Sequence, residues 1–253
     1  MHKNVVAGLG EIGLPILKIL SRKNLAVGFD INRDLMNQKK YQNYEFIPTS
    51  FLHICIPFTK NFIIQVIELS KKFNPKFIVI HSTISPGTTK TIHELLKIPV
   101  IYSATRGIHK RMLQDLKRYT KFYALDSSDS LGESASKEYQ KLMKSSGVKV
   151  KRMSNTLTLE LAKIVVDTSY YGWLITYAQL SNMIAIKNKI NYDEMWSFAD
   201  EIHKFLGNRP KMYPGFIGGH CVIPNLDLIK NDTLDLIEQI NNDYAKILKS
   251  KKN

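Results

Sequence analysis

Three glycines placed between a strand and a helix limit the folds open to this chain. The run Val5-Val6-Ala7 leads into Gly8-Leu9-Gly10-Glu11-Ile12-Gly13-Leu14-Pro15, which opens a helix-like stretch. A strand that turns through glycines straight into a helix is the opening of a dinucleotide-binding βαβ unit. Gly8 permits the tight turn, Gly10 lets backbone reach a pyrophosphate, and Gly13 lets the helix lie on the strand. Glu11 and Ile12 place backbone amides at the helix start, where the dipole favours phosphate. Asp30 ends the next strand-like run, 22 residues after Gly8. A carboxylate there accepts hydrogen bonds from ribose hydroxyls and repels a 2′-phosphate, which favours NAD over NADP. Arg33 nearby pulls the other way, and the plain alternative for Asp30 is an ordinary turn residue.

Short apolar, β-branched runs at residues 4–8, 25–30, 51–56, 77–81, 100–103, 121–125 and 148–152 alternate with helix-length segments such as 59–72 and 134–145. This alternation predicts a Rossmann-type, doubly wound parallel sheet covered on both faces, with its ligand at the carboxyl ends of the strands. Beyond residue 152 the pattern turns helical. Residues 155–187 read as one long helix with Ser154, Asn155 or Thr156 as N-cap, followed by helices over 192–205 and 226–249. The expected organisation is an NAD-binding domain over 1–153 and an all-α dimerisation and catalytic domain over 154–253.

Composition narrows the setting. The 44% apolar and 23% charged content is that of an ordinary globular protein. The apolar stretch 164–186 carries Asp167, Gln179 and Asn182, which argues for a buried helix and against a membrane span. A strand begins within four residues of the N-terminus, which leaves no room for a signal peptide, and two distant cysteines make no disulfide framework. A reduced cytoplasm is the expected location. Lys and Arg outnumber Asp and Glu 36 to 22, a net charge of +14, but the excess is spread along the chain without an arginine-rich run. No nucleic-acid partner is expected, although the field draws anionic ligands. No metal site is expected either.

Three further segments carry chemistry. The loop Met212-Tyr213-Pro214-Gly215-Phe216-Ile217-Gly218-Gly219-His220-Cys221-Val222-Ile223-Pro224-Asn225 puts a thiol behind two glycines and next to an imidazole, an arrangement that exposes and activates cysteine. Cys55, within a strand-like run, reads as core. Ser82-Thr83-Ile84-Ser85-Pro86-Gly87-Thr88-Thr89 places hydroxyls at a strand's carboxyl end, where a nicotinamide or substrate lies; a plain turn with Thr88 or Thr89 as cap is the simpler reading. Pro57 follows another strand end, beside the cofactor. On the long helix Glu160, Lys163 and Asp167 share one face amid apolar neighbours, either as a surface salt-bridge row or as a buried lysine with carboxylates.

In order and spacing these segments resemble the nucleotide-sugar 6-dehydrogenases, typified by UDP-glucose dehydrogenase. Gly8–Pro15, Ser82–Thr88, Glu160-Leu161-Ala162-Lys163 and Gly215–Pro224 carry the likeness, and the Gly-Gly-His-Cys form is most similar to the branch acting on UDP-N-acetylhexosamines. The resemblance spans nearly all 253 residues. It implies a homodimer that uses NAD to oxidise a primary alcohol of a sugar or sugar nucleotide to a carboxylate. Cys221 then traps the aldehyde as a thiohemiacetal that becomes a thioester. Lys163 stabilises the oxyanion, Thr83 is a catalytic hydroxyl, and Glu160, Thr105, Arg106, Gly218, Gly219 and His220 face the substrate. His109, Lys110, Arg209 and Lys211 are further candidate anion contacts.

The departures from the family pattern are specific. Only 32 residues follow Cys221, which leaves no room for the family's C-terminal nucleotide-binding domain. Ser103-Ala104-Thr105-Arg106 stands where the family has Ser-Pro-Glu-Arg, so Thr105 replaces the glutamate tied to thioester hydrolysis. Asp167 replaces an Asn and Asn225 replaces an Asp. If both line one site, the exchange preserves its charge, with Asp167 as base and Asn225 positioning the water. Two other readings stay open: a β-hydroxyacid-dehydrogenase-like single hydride transfer through Lys163, and a non-catalytic NAD-binding protein.

Overall fold

The computed structural model of the chain describes residues 1–127, 129–206, 214–219, 221–228 and 232–250. Its centre is a five-stranded parallel sheet of β1 (Lys3–Ala7), β2 (Ala26–Phe29), β3 (Thr49–Ile54), β4 (Phe77–Ile80) and β5 (Val100–Tyr102), in the order β2-β1-β3-β4-β5. β6 (Lys121–Tyr123) and β7 (Val150–Arg152) form a parallel pair of their own. An antiparallel bridge joins it to β5, through Tyr102 N–H to Ala124 O at 2.8 Å and Ala124 N–H to Tyr102 O at 2.9 Å. Successive strands depart in opposite directions from β1, to β2 on one side and to β3 on the other. That switch point opens a crevice at the carboxyl ends.

Both faces of the sheet are apolar because both are covered. Val6, Phe51, Phe77, Val79 and Ile101 pack under α1 (Gly13–Leu20), α5 (Met112–Arg118) and α6 (Ser130–Ser145), which contribute Ile16, Leu20, Met112, Leu116, Tyr139 and Met143. Val5, Leu52, Ile54, Ile78, Ile80 and Tyr102 form the opposite core with residues of α3 (Phe62–Phe73), α4 (Thr88–Leu96) and α7 (Thr156–Leu161). The short α2 (Gln38–Asn43) lies between β2 and β3 in the chain. α6 begins at an Asp129 cap whose carboxylate accepts the Gly132 N–H at 2.7 Å, and α7 at an Asn155 cap that accepts the Thr158 N–H at 2.8 Å. The expected α/β class, with a helical region after the sheet, is the one observed.

The chain divides into two compact units, Met1–Lys163 and Ile164–Asn253. α7, expected in the helical domain, belongs with the sheet, because Leu159 and Glu160 are buried there. The long helix over 155–187 is not one α-helix. α7 gives way to a π-helical stretch, Ala162–Ser169, before α8 (Tyr170–Lys187) resumes α geometry. The second unit adds α9 (Tyr192–Leu206), the short α10 (Ile223–Leu226) and α11 (Asp232–Ser250). α11 covers most of the helical span expected over 226–249, and α10 ends where that span was expected to begin. Ile217, Val222, Leu226 and Ile237 form its core with Trp173 and Ile175 of α8. Among the described residues no helix is long and apolar enough to cross a membrane.

Candidate active site

The glycine loop meets the two packing tasks its spacing predicts, the tight turn at Gly8 and the close seating of α1 at Gly13. Gly8 has φ +89°, and a Cβ there would lie 2.7 Å from the Cys55 carbonyl oxygen, so only glycine makes this turn against β3. A Cβ on Gly13 would meet the Gly8 carbonyl oxygen at 1.7 Å, which is how closely the first turn of α1 sits on the loop. A Cβ on Gly10, by contrast, would have nothing within 4 Å of it. The missing side chain there serves nothing in the fold and leaves space beside bare backbone. Packing thus accounts for Gly8 and Gly13, and Gly10 leaves open space beside the loop.

Asp30 stands at the end of β2, and its carboxylate reaches across the switch point. One oxygen accepts the Leu9 N–H at 2.6 Å and the other the Asn32 N–H at 2.9 Å. Two carboxylate oxygens have further lone pairs, so the group that fixes the loop keeps acceptor capacity at the switch point. Arg33 opens an exposed 3₁₀ turn, Arg33–Leu35. Glu11 Oε2 lies 2.6 Å from His109 Nδ1, tying the glycine loop to the segment after β5. Ile12 is the half-buried residue preceding α1.

At the neighbouring strand ends Ser82 donates its hydroxyl to the Ile56 carbonyl at 2.5 Å, next to exposed Pro57. Thr83 is half-buried in the turn towards α4. Cys55 packs beneath the loop, and burial pushes its thiol up to about 12, with Lys121 opposing. A thiol so raised holds little thiolate near neutral pH.

Glu160, expected at the substrate, is committed elsewhere. Its side chain is fully buried and caps α4: Gly87 N–H reaches one oxygen at 2.6 Å, and Thr89 N–H and Oγ1–H reach the other at 3.0 and 2.6 Å. It satisfies amides that a helix start leaves unpaired. The threonines of this loop therefore open α4, while its acceptor comes from α7.

Thr105 and Arg106 leave the end of β5. The Arg106 guanidinium donates to the Thr120 carbonyl at 2.7 Å and lies over the Phe122 ring. Thr105 is buried, and its Oγ1 is 3.0 Å from Lys121 Nζ. Lys121 is a residue that sequence reasoning missed. It is 5% exposed, and its ammonium also reaches the Ser103 and Ala104 carbonyls at 2.7 and 3.0 Å. Burial lowers it to about 7; Cys55 opposes this, while the charges of Lys163 and Arg106 add to it. Lys163 thus acts on this corner of the first unit.

Lys163 and Asp167 are both half-buried, and both stand in the π-helical stretch. Such wide turns concentrate at functional sites. They also change the spacing on which a shared α-helical face for Glu160, Lys163 and Asp167 depends.

In the second unit the thiol loop is pinned by two amides. Asn241 of α11 holds Ile217 at both backbone groups, accepting its N–H at 2.8 Å and donating to its carbonyl at 3.1 Å. Gln179 of α8 donates to the Gly215 carbonyl at 2.7 Å and to Asn241 Oδ1 at 3.0 Å. Cys221 is exposed, Gly218 and Gly219 precede it, and Gly219 has φ +76°. Asn225 donates its side-chain amide to the Cys221 carbonyl at 2.8 Å, so it shapes the loop that carries the thiol. His220, Arg209 and Lys211 lie outside the described residues, as do Met212 and Tyr213. Buried Gln179 and Asn241 were also missed; amides on otherwise apolar helix faces were the available signal.

The fold is shared with known enzymes. A UDP-D-ManNAc dehydrogenase from Pyrococcus horikoshii superposes with a TM-score of 0.80 at 18% identity, covering 97% of this chain and 69% of that one. A UDP-N-acetyl-mannosamine dehydrogenase from Staphylococcus aureus gives 0.78 at 19% identity, covering 99% and 70%. A 3-hydroxyisobutyrate dehydrogenase from Mycobacterium tuberculosis gives 0.70 at 15% identity, covering 98% and 94%. The chain has the fold of these dehydrogenases. The likeness extends over nearly its whole length. No protein-family profile matches it, and no curated protein matches it in sequence.

Proposed function

We propose that this protein is an NAD-dependent dehydrogenase that oxidises a CH–OH carbon of a sugar nucleotide. The observation that carries the reading is the glycine loop, where Gly8 and Gly13 are closed by packing, Gly10 stands open, and Asp30 holds the intervening Leu9 amide. The fold shared with dehydrogenases of UDP-N-acetylmannosamine supports the substrate class. When bound, NAD supplies the hydride acceptor. The chain's own groups then have distinct tasks. The amides after Gly10 hold phosphate and Asp30 holds the ribose. The net charge of +14 draws the anionic substrate.

Further along the same reading, the exposed Cys221 is the nucleophile that forms a thiohemiacetal with the aldehyde, and Lys163 is the cation for the developing oxyanion. Asp167 is the base for the attacking water, while Thr83, Arg106, Gly218 and Gly219 contact substrate. A homodimer is part of the proposal, since Tyr170, Tyr171, Tyr177 and Ile184 leave an apolar face of α8 exposed. The test is stoichiometric. With UDP-N-acetylmannosamine, two NADH form per acid released, and Cys221→Ser stops at or before the aldehyde.

The coverage of 94% of the 3-hydroxyisobutyrate dehydrogenase chain favours a second reading, in which Lys163 assists one hydride transfer without a covalent step. One NADH per turnover with a fully active Cys221→Ser enzyme decides for it.

A further inference from the structure

Beneath the carboxyl ends of β3, β4 and β5, and at the start of β6, the first unit buries a row of polar side chains to which the proposed reaction assigns no task. His53 stacks on His81 with ring centroids 5.2 Å apart, and their Nδ1 and Nε2 atoms lie 2.9 Å apart. His81 Nδ1 is 3.1 Å from the Ser103 carbonyl. A carbonyl only accepts, so His81 carries its hydrogen on Nδ1. Its Nε2 therefore accepts from His53 Nδ1–H, and His53 Nε2 is left as a buried acceptor with no hydrogen-bond partner. Burial, with the Lys121 charge adding to it, keeps both rings neutral: His53 falls to about 3 and His81 also falls well below its ordinary range. The pair is fixed in one tautomeric state and carries no proton away.

Lys121 differs from the histidines in what surrounds its nitrogen. Two of its three partners, the Ser103 and Ala104 carbonyls, can only accept. The third, Thr105 Oγ1, can accept or donate. As an ammonium Lys121 donates to all three. As a neutral amine it donates to the two carbonyls and accepts the Thr105 hydroxyl hydrogen. Either protonation state leaves every hydrogen bond made, and among these partners only the hydroxyl can pass a proton.

We propose that Lys121 and Thr105 form a proton-transfer pair, in which the Thr105 hydroxyl takes the proton of a reacting substrate alcohol while passing its own to the Lys121 amine. This rests on the dehydrogenase reading. The step balances: the alcohol O–H bond breaks as Thr105 Oγ1 gains that proton, and the Thr105 proton forms the third N–H of Lys121. The carbon's hydrogen leaves as hydride to oxidised NAD, and the C–O bond becomes a carbonyl. Reversal returns the proton to solvent or product.

Several further observations support the pair. Thr105 stands where the resembling family has a carboxylate, so a different acid–base group occupies that corner. Lys121 titrates near neutrality because of its burial and of Lys163 and Arg106, the two charged groups that face it. Its other titratable neighbours, Cys55, His53 and His81, are uncharged at that pH. A neutral lysine beside a hydroxyl is the arrangement that activates oxygen in Ser–Lys sites.

The test begins on unliganded protein. In lysine-selective NMR, the resonance lost in Lys121→Arg should titrate with a midpoint near 7, and Thr105→Val should lower that midpoint by removing an acceptor of the ammonium. A midpoint near the ordinary lysine value of about 10.4, or one that ignores Thr105→Val, overturns the pair. With NAD and UDP-N-acetylmannosamine, Thr105→Val should lower kcat about 100-fold while KM and NAD affinity hold, and Thr105→Ser should restore it. Wild-type kcat should rise with pH through that same midpoint, and Lys121→Arg should lack the rise. A Thr105→Val enzyme with wild-type kcat and pH profile rejects the proposal. If the wild-type protein binds NAD but oxidises no UDP-sugar, the functional reading fails, and the Lys121 titration still decides the pair.

Discussion

A Cβ on Gly13 would lie 1.7 Å from the carbonyl oxygen of Gly8, whereas one on Gly10 would touch nothing within 4 Å. Alanine at the two positions should therefore separate folding from binding. Gly13→Ala must push α1 off the loop and should cost about 2 kcal/mol or more in urea unfolding. Gly10→Ala should change stability by less than about 0.5 kcal/mol and lower NAD affinity severalfold by calorimetry, with Gly10→Val abolishing it. Equal stability losses at both positions contradict a ligand-shaped gap.

Glu160 should matter to stability before it matters to substrate. Its buried carboxylate is the acceptor for two α4 amides and the Thr89 hydroxyl. Glu160→Ala strands these donors in the interior and should destabilise the first unit by about 3 kcal/mol. Thr89→Val, which keeps both amide bonds, should cost about 1 kcal/mol. Chemical denaturation checks the ranking, and a neutral Glu160→Ala contradicts the capping role.

The buried bases set the direction of the pH response. Lys121 is lowered from 10.5 to about 7, so between those values the unfolded chain holds a proton that the folded chain has released. His53 is lowered from 6.5 to about 3 with the same sign in a more acidic window. Both contributions are present in full above the unfolded-state value and fade as pH falls through the folded one. Lys121→Met should flatten the stability profile between pH 7 and 10.5. His53→Asn, whose Nδ2 stands where Nδ1 donates to His81, should reduce the slope between pH 3 and 6.5. Urea midpoints across pH measure both.

Alkylation should distinguish the two cysteines. Cys221 is exposed, and the Cys55 thiol is pushed up to about 12 by burial. Iodoacetamide at pH 8 followed by peptide mass spectrometry should modify Cys221 first and Cys55 only on unfolding. Early modification of Cys55 contradicts its place beneath the glycine loop.

Features that repeat over short distances were legible in the sequence. The alternation of apolar runs predicts the parallel sheet, and the spacing of Gly8, Gly10, Gly13 and Asp30 predicts a loop whose parts lie within two neighbouring strands. What was not legible depends on which strands become neighbours. Lys121 reads as a surface charge on a short strand until the bridge between Tyr102 and Ala124 places it under Ser103. Glu160 reads as one face of a helix, because its partners stand 71 and 73 positions earlier. The π-helical stretch has no composition that marks it: Ala162–Ser169 mixes Ile164, Val165 and Val166 with Lys163, Asp167 and Thr168, as an ordinary α-helix can.

The tie from Glu160 to Gly87 and Thr89 also sets an order of maturation. As the chain is synthesised, the five strands of the central sheet are complete at Tyr102, and β7 ends at Arg152. The acceptor for the first amides of α4 does not exist until eight residues later, at Glu160. A nascent chain that has already zipped its sheet still lacks the group that seats the Ser82–Thr88 turn. A truncation after Arg152 would keep every strand and leave the first amides of α4 without their acceptor.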